Sequence, residues 1–237
     1  MTINKVEAFA MRMPPYDTAS EEKSMNGITN RRLFLRSTLT VGAGTIFHGA
    51  TFAELLEQTV RQTAGPFLPD RLPLDRDNDL VIVDDRVTPA VGTITHVTGR
   101  VLTTSGEPVR NATVEIWQVD ANGRYLHSDD RRNQERDPNF QGYGRFETAT
   151  DGGYRFRTIR PVGYSFRTPH IHFSVTSKGR DQLTTQMYVA GESRNRSDSI
   201  LNAVRDKRAR GRLIVQLNPI PGSELGELVG TFDIVLG

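Results

Sequence analysis

The sequence predicts an all-β chain, an antiparallel β-sandwich with few short helices, preceded by an N-terminal leader. Two observations carry this. Beyond residue 92 the apolar residues fall in short runs, several of them alternating with polar ones. Turn residues such as Ser105-Gly106-Glu107-Pro108, Asn122-Gly123 and Asp151-Gly152-Gly153 separate those runs at the close spacing of a sandwich.

The first element is the leader. Residues 1–30 are polar; Asn30-Arg31-Arg32-Leu33-Phe34-Leu35-Arg36 then opens a small, apolar stretch, residues 37–53, free of Asp, Glu, Lys and Arg. A charged segment, a short apolar one and small residues near Ala50 or Ala53 form a signal-peptide pattern. The paired arginines resemble the twin-arginine variant, with Asn30 where Ser or Thr is usual. The expected organisation is therefore an export leader over residues 1–53, an N-terminal arm over 54–92 and the sandwich over 93–237, with the mature protein periplasmic or extracellular. The alternative is an amphipathic N-terminal helix that stays attached.

Within the arm, residues 54–62 suggest a short helix. Strands are expected at residues 93–102, 112–119, 154–159, 170–176, 183–190, 212–217 and 231–236. In the second of these, Val114 and Ile116 share one face, and Glu115 and Trp117 the other. Residues 197–207 are expected to form one helix, with Ser197 as N-cap. The basic run 205–212 reads as a solvated face, and the polar stretch 129–144 as a long loop of the kind that carries function.

Composition narrows the chemistry. The chain has 237 residues, 36% hydrophobic and 24% charged, a soluble globular balance with no apolar run long enough for a membrane-spanning helix in the mature form. A net charge of +2 gives no reason to expect a nucleic-acid partner. With no cysteine, disulfides, thiolate metal sites and Cys nucleophiles are excluded. Any metal must be held by oxygen ligands or by the five histidines, His48, His96, His127, His170 and His172.

Pro169-His170-Ile171-His172-Phe173-Ser174-Val175 is the sharpest local feature. On a strand, Ile171, Phe173 and Val175 face the core while His170 and His172 point together to the other side, as a metal-ligand pair. Two imidazoles on a sheet face are also an ordinary surface outcome. Tyr164, six residues before His170, and Tyr125 add two oxygen donors. A phenol deprotonates near pH 10, so it ligates at neutral pH only where a strongly Lewis-acidic ion displaces the proton. Two phenolates with two imidazoles suit Fe(III) better than Zn(II) or Cu(I). Either tyrosine alone reads equally as an edge Tyr with a wet hydroxyl. His96 reads as a strand-surface residue.

A resemblance sharpens this. Val114-Glu115-Ile116-Trp117-Gln118, Asn122-Gly123-Arg124-Tyr125, Asp137-Pro138-Asn139-Phe140, Gly144-Arg145-Phe146, residues 154–161 (Tyr-Arg-Phe-Arg-Thr-Ile-Arg-Pro) and Pro169-His170-Ile171-His172-Phe173 resemble, in order, the intradiol ring-cleavage dioxygenases, most closely the protocatechuate 3,4-dioxygenase type. Thr63-Ala64-Gly65-Pro66-Phe67, Thr184-Thr185-Gln186-Met187-Tyr188 and Phe232-Asp233-Ile234-Val235-Leu236 extend the likeness over residues 63–237. It implies a sandwich of the intradiol or transthyretin-like kind. It also implies a non-haem Fe(III) held by Tyr125, Tyr164, His170 and His172, with Tyr164 leaving when substrate binds. Arg167 would steady charge on the substrate, and Gln186 would be a polar neighbour of the site. The implied reaction opens a catechol-type ring with O2 to a cis,cis-muconate-type diacid, with a protocatechuate-like substrate. The implied assembly is a homo-oligomer or a pairing with a related subunit.

Three departures stand out. Phe166 takes a place where the protocatechuate type has Trp, only five residues separate Tyr164 from His170, and His127 has no role to inherit. The competing expectations are a non-catalytic transthyretin-like or carbohydrate-binding module, which has no use for two Tyr and two His, and a zinc hydrolase, which needs a carboxylate base that is missing beside the His pair.

Overall fold

The computed structural model describes residues 55–84 and 87–237. The expected leader, residues 1–53, lies outside the described residues. Among those described, no helix is long and apolar enough to cross a membrane.

Among the described residues, ten strands form two five-stranded sheets. β1 (Ile94–Thr103) is the hub of the first; it pairs antiparallel with β4 (Gly153–Ile159) and parallel with β9 (Leu228–Thr231) and β10 (Ile234–Leu236), and β8 (Asn218–Pro219) joins β9. The second sheet runs β3 (Tyr143–Glu147), β2 (Thr113–Trp117), β5 (His170–Thr176), β6 (Leu183–Val189), β7 (Ile214–Val215). The sandwich is as expected, but its pairing is mixed: β1–β9, β1–β10 and β6–β7 are parallel. Alternation reports which face a residue takes and is silent on strand direction.

The alternation of β2 and β5 explains the core. Val114, Ile116, Ile171, Phe173 and Val175 are fully buried with Val97, Val101, Phe156 and Ile234 in one cluster that joins the two sheets. Phe173 meets Phe232 edge-on at 5.1 Å and Tyr154 at 6.1 Å. Each such side chain contributes roughly 2–3 kcal/mol by leaving water, so the register of β5 is firmly held. A one-residue slip would send both histidines into the apolar core.

Several local expectations are corrected. Residues 55–62 form no helix, because their backbone groups find partners far away in the chain. Leu56 N–H donates to the Thr104 carbonyl, Thr59 N–H to Val235 and Gln62 N–H to Thr184, at 2.7, 3.0 and 2.8 Å. The single helix over residues 197–207 is instead a 3₁₀ turn, Ser193–Arg196, followed by α1 (Ser199–Ala203) and α2 (Lys207–Arg212). The N-caps are Asp198 and Asp206, whose carboxylates each accept two backbone N–H groups; Ser197 is the C-cap of the 3₁₀ turn. Val204, in extended conformation, separates the two helices. The strand expected over 212–217 shrinks to β7 because α2 takes its first residue. The one expected over 231–236 splits into β9 and β10 at Phe232–Asp233. β3 and β8 had no clear alternation to reveal them. His96 is buried, not on the surface, with Nε2 3.2 Å from Glu227 Oε1.

Gly99 shows how tightly the first sheet is crossed. The chain at Phe232 passes over it, with Phe232 N–H donating to the Thr98 carbonyl at 2.8 Å and the Tyr154 hydroxyl donating to the Phe232 carbonyl. A Cβ on Gly99 would overlap that carbonyl oxygen. Gly99→Ala is expected to cost about 2 kcal/mol or more, measured as a lowered thermal midpoint.

Candidate metal centre

The face of the second sheet turned away from the core carries the site. The register sets Tyr143 opposite Trp117, Trp117 opposite His172 and His172 opposite Gln186, and on the next row His170 opposite Tyr188. Trp117 stacks on the His172 ring, with centroids 4.9 Å apart and planes 5° apart. Loops bring the phenols over this row. The turn at Asp120–Gly123, with Gly123 at φ +78°, is fixed by Asp120 Oδ1, which accepts from Asn122 N–H and Arg124 N–H at 2.9 Å. Tyr125 follows, its N–H donating to Asp130 at 2.7 Å. Tyr164 stands at the start of a tight turn in which Arg167 N–H donates to the Tyr164 carbonyl at 2.8 Å and Ser165 takes φ +47°.

The result is convergence. Tyr125 Oη lies 3.1 Å from Tyr164 Oη, 3.1 Å from His172 Nε2 and 3.3 Å from His170 Nε2. All four groups expected to meet do so. His170 Nδ1 donates to the Thr168 carbonyl at 2.6 Å, which fixes the tautomer and leaves Nε2 with its lone pair aimed at the phenols. Burial, then the nearby Arg167 charge, pushes His170 down to about 4; burial, then His170 and Arg167, hold His172 well below the ordinary imidazole value. Burial raises both phenols, that of Tyr125 steeply, while Arg167 and Arg132 oppose the rise.

Proton counting shows what the cluster lacks. Thr168 holds His170 as the Nδ1–H tautomer, whereas His172 Nδ1 is buried with no hydrogen-bond partner. Whichever nitrogen of His172 carries its proton, the buried cluster keeps an unsatisfied polar atom, at a cost of about 1–3 kcal/mol. A cation replacing the phenolic protons satisfies all four donors at once, so the donor set fits a hard, Lewis-acidic metal ion. Among the described residues no group of three or more His, Cys, Asp or Glu gathers as a metal site; here two phenols complete the set begun by two imidazoles.

Arg167 and Gln186 are in direct contact, with Nη2 donating to Oε1 at 2.6 Å, and Arg167 Nε donates to the fully buried Asp198 at 2.8 Å. Gln186 Nε2 donates to the Thr63 carbonyl at 2.9 Å, so the arm closes over this side. His127 makes no hydrogen bond to the cluster; its Nδ1 accepts from Asp129 N–H at 3.0 Å. Phe166 is 74% exposed at the tip of the Tyr164 turn.

Two participants escaped the sequence. Arg132 lies over the Tyr164 ring, 4.5 Å from its centroid, and 5.5 Å from Phe67, held by Nε donating to Asp130 at 2.7 Å. The loop 129–144 drew notice, but nothing in its run of charges marks which arginine turns inward. Asp198 was hidden inside a stretch read as helix.

The family model described as Dioxygenase matches residues 64–237. The beta chain of protocatechuate 3,4-dioxygenase from Burkholderia cepacia is 43% identical over 149 residues, 59% of this chain and 63% of that relative. The alpha chain from Pseudomonas putida is 31% identical over 182 residues, 71% of this chain and 88% of that one. Among solved structures, the dioxygenase domain of a dioxygenase carbohydrate-binding protein fusion from Streptomyces sp. SirexAA-E is similar at 29% identity and a TM-score of 0.58, over 76% of this chain and 98% of that one. The chain belongs to the intradiol ring-cleavage dioxygenase family, a family of oxidoreductases.

The depressed His170 value predicts a pH signature in the metal-free protein. The unfolded imidazole protonates near 6.5 and the folded one near 4. Between those values the unfolded state binds more protons, so stability drops as pH falls through that window, by at most about 3 kcal/mol. Urea midpoints measured from pH 7 to pH 4.5 should show the decline, and His170→Asn should lessen it.

Proposed function

We propose that the chain is an Fe(III)-dependent intradiol dioxygenase that opens a catechol-type ring with O2 between its two hydroxyl-bearing carbons, giving a cis,cis-muconate-type diacid. The observation that carries the reading is the meeting of Tyr164, His170 and His172 within 3.1–3.3 Å of the Tyr125 phenolic oxygen. These four residues would hold the ion. Ferric iron held there would supply the Lewis acidity that favours the deprotonated, electron-poor form of the diol ring.

The remaining chemistry belongs to the chain. Tyr164, less buried than Tyr125, is the phenol able to swing away; as phenolate its Oη accepts one of the substrate's hydroxyl protons. Tyr125, 2% exposed, stays in place. Arg167 puts a positive charge beside the reacting ring in a site that excludes most water, where charge stabilisation is strong. Trp117 and Phe67 wall the centre, the latter stacked on Tyr125 at 5.5 Å.

For the substrate we favour a catechol bearing an anionic substituent, of the protocatechuate kind. A cavity of about 420 Å³ borders Tyr164, and its lining includes Arg132, Arg194, Asn122 and Gln134. Gly163 leaves room for Arg194, since a Cβ there would stand 2.9 Å from Nη1. The 43% identical relative is named for protocatechuate, while relatives named for hydroxyquinol and chlorocatechol make those rings the comparison substrates. Relatives named as alpha and beta chains support association with a related subunit or a second copy. Export through the residue 1–53 leader remains part of the proposal; a periplasmic or secreted fraction containing the shortened protein would bear it out.

The following outcomes are expected. Iron-loaded protein should take up O2 with a catechol and show a visible tyrosinate-to-iron absorption band; Tyr125→Phe and His172→Ala should lose tightly bound iron. Fe(III) binding should release about two protons, one from each phenol, measured by pH-stat titration. Arg194→Gln should raise KM for protocatechuate several-fold and leave that for unsubstituted catechol nearly unchanged.

A further inference from the structure

We propose that Asp198 is a positioning residue for this reaction: one buried carboxylate oxygen sets both the Arg167 guanidinium and the backbone at Thr168, the residue whose carbonyl orients His170. The inference rests on the intradiol reading and adds to it a residue that never touches substrate or metal.

The two oxygens of Asp198 have separate partners. Oδ1 accepts from Ile200 N–H at 3.1 Å and from Leu201 N–H at 3.0 Å, which caps α1. Oδ2 accepts from Arg167 Nε at 2.8 Å and from Thr168 N–H at 3.0 Å. Thr168 in turn offers its carbonyl to His170 Nδ1 at 2.6 Å, and its hydroxyl donates to Asn195 Oδ1 at 2.7 Å. A single anion with 0% exposure thus lies one step from the charge-stabilising arginine and two steps from a donor of the metal centre.

Capping alone does not explain this arrangement. Asn caps a helix as well as Asp does, and α1 is only five residues long. Only a carboxylate can cap with one oxygen while accepting from a guanidinium and a backbone N–H with the other. Two contacts fix the Arg167 plane, Nε to Asp198 and Nη2 to Gln186 Oε1 at 2.6 Å, and leave its remaining edge free of those two partners. Gln186 is itself held by Thr63 and by the Tyr188 hydroxyl at 3.0 Å. Losing Oδ2 would let the plane rotate about its Gln186 contact, and would relax the backbone at Thr168, whose carbonyl fixes the His170 tautomer. Partners of this outer kind typically change metal affinity or activity by about 10–100-fold.

The test is Asp198→Asn, which keeps an oxygen for the cap and presents an NH2 group to the two donors that Oδ2 served. In the iron-loaded full chain, kcat per bound iron should fall at least about tenfold with KM little changed, as for a group acting on the transition state. Adding Asp198→Asn to Arg167→Ala should lower kcat per iron little further, because the two act through one contact. Leu201→Ala, which unpacks the same helix, should lower the thermal midpoint while leaving kcat per iron unchanged. A lowered midpoint with unchanged kcat in Asp198→Asn, or fully multiplicative losses in the double variant, would overturn the proposal. If Asn disrupts folding, Asp198→Ser retains a capping oxygen and removes Oδ2. Chelator titration of bound Fe(III) provides a readout independent of turnover: Asp198→Asn should release iron at roughly tenfold lower chelator, and an unchanged titration counts against the His170 arm. Absence of O2 uptake by the unmodified protein with every catechol tried would instead sink the intradiol reading, leaving the chelator comparison to judge Asp198.

Discussion

The strand β5 can satisfy its core in only one register, and everything at the site follows from that. Ile171, Phe173 and Val175 are fully buried between the sheets, so the period of two leaves His170 and His172 no choice but the opposite face. That face is then roofed by elements from elsewhere in the chain. The arm delivers Phe67 and the Thr63 carbonyl, the turn after β2 delivers Tyr125, and the turn before β5 delivers Tyr164. Hydrophobic packing on one side of a strand thereby fixes polar chemistry on the other.

Burial gives that chemistry its character. Both imidazoles are kept neutral and both phenols protonated in the absence of a cation. The centre holds no charge of its own to repel or satisfy, yet it leaves a buried ring nitrogen of His172 without a partner. The positive groups around it, Arg132 over the Tyr164 ring and Arg167 beside it, favour the phenolate forms. Each is tethered to a carboxylate, Asp130 and Asp198 respectively, so the field at the centre comes from paired charges held at fixed distances.

Much of this was legible in the sequence, for identifiable reasons. Strict alternation revealed β2 and β5, and the His-x-His spacing put both rings on one face. The tyrosines became informative through a series of motifs in order, not through any property of their own. What could not be read depended on distant partners. Residues 55–62 have helical composition, but their N–H groups are claimed by Thr104, Val235 and Thr184. The residue 197–207 stretch breaks because Asp198 and Asp206 each cap a short helix and Val204 turns out between them. The parallel pairings of β9 and β10 with β1 leave no trace in alternation, and the inward turn of Arg132 depends on where Asp130 sits.

Those parallel pairings bear on how the protein is made. β10 lies against β1 at Val101↔Ile234, Leu102↔Val235 and Thr103↔Leu236. An early strand of the sandwich thus waits for a partner more than a hundred residues downstream. On the ribosome, the first sheet cannot be completed until residues 234–236 have cleared the exit tunnel. A nascent chain stalled before that point would present the open edge of β1 to whatever chaperone or neighbouring strand reached it first.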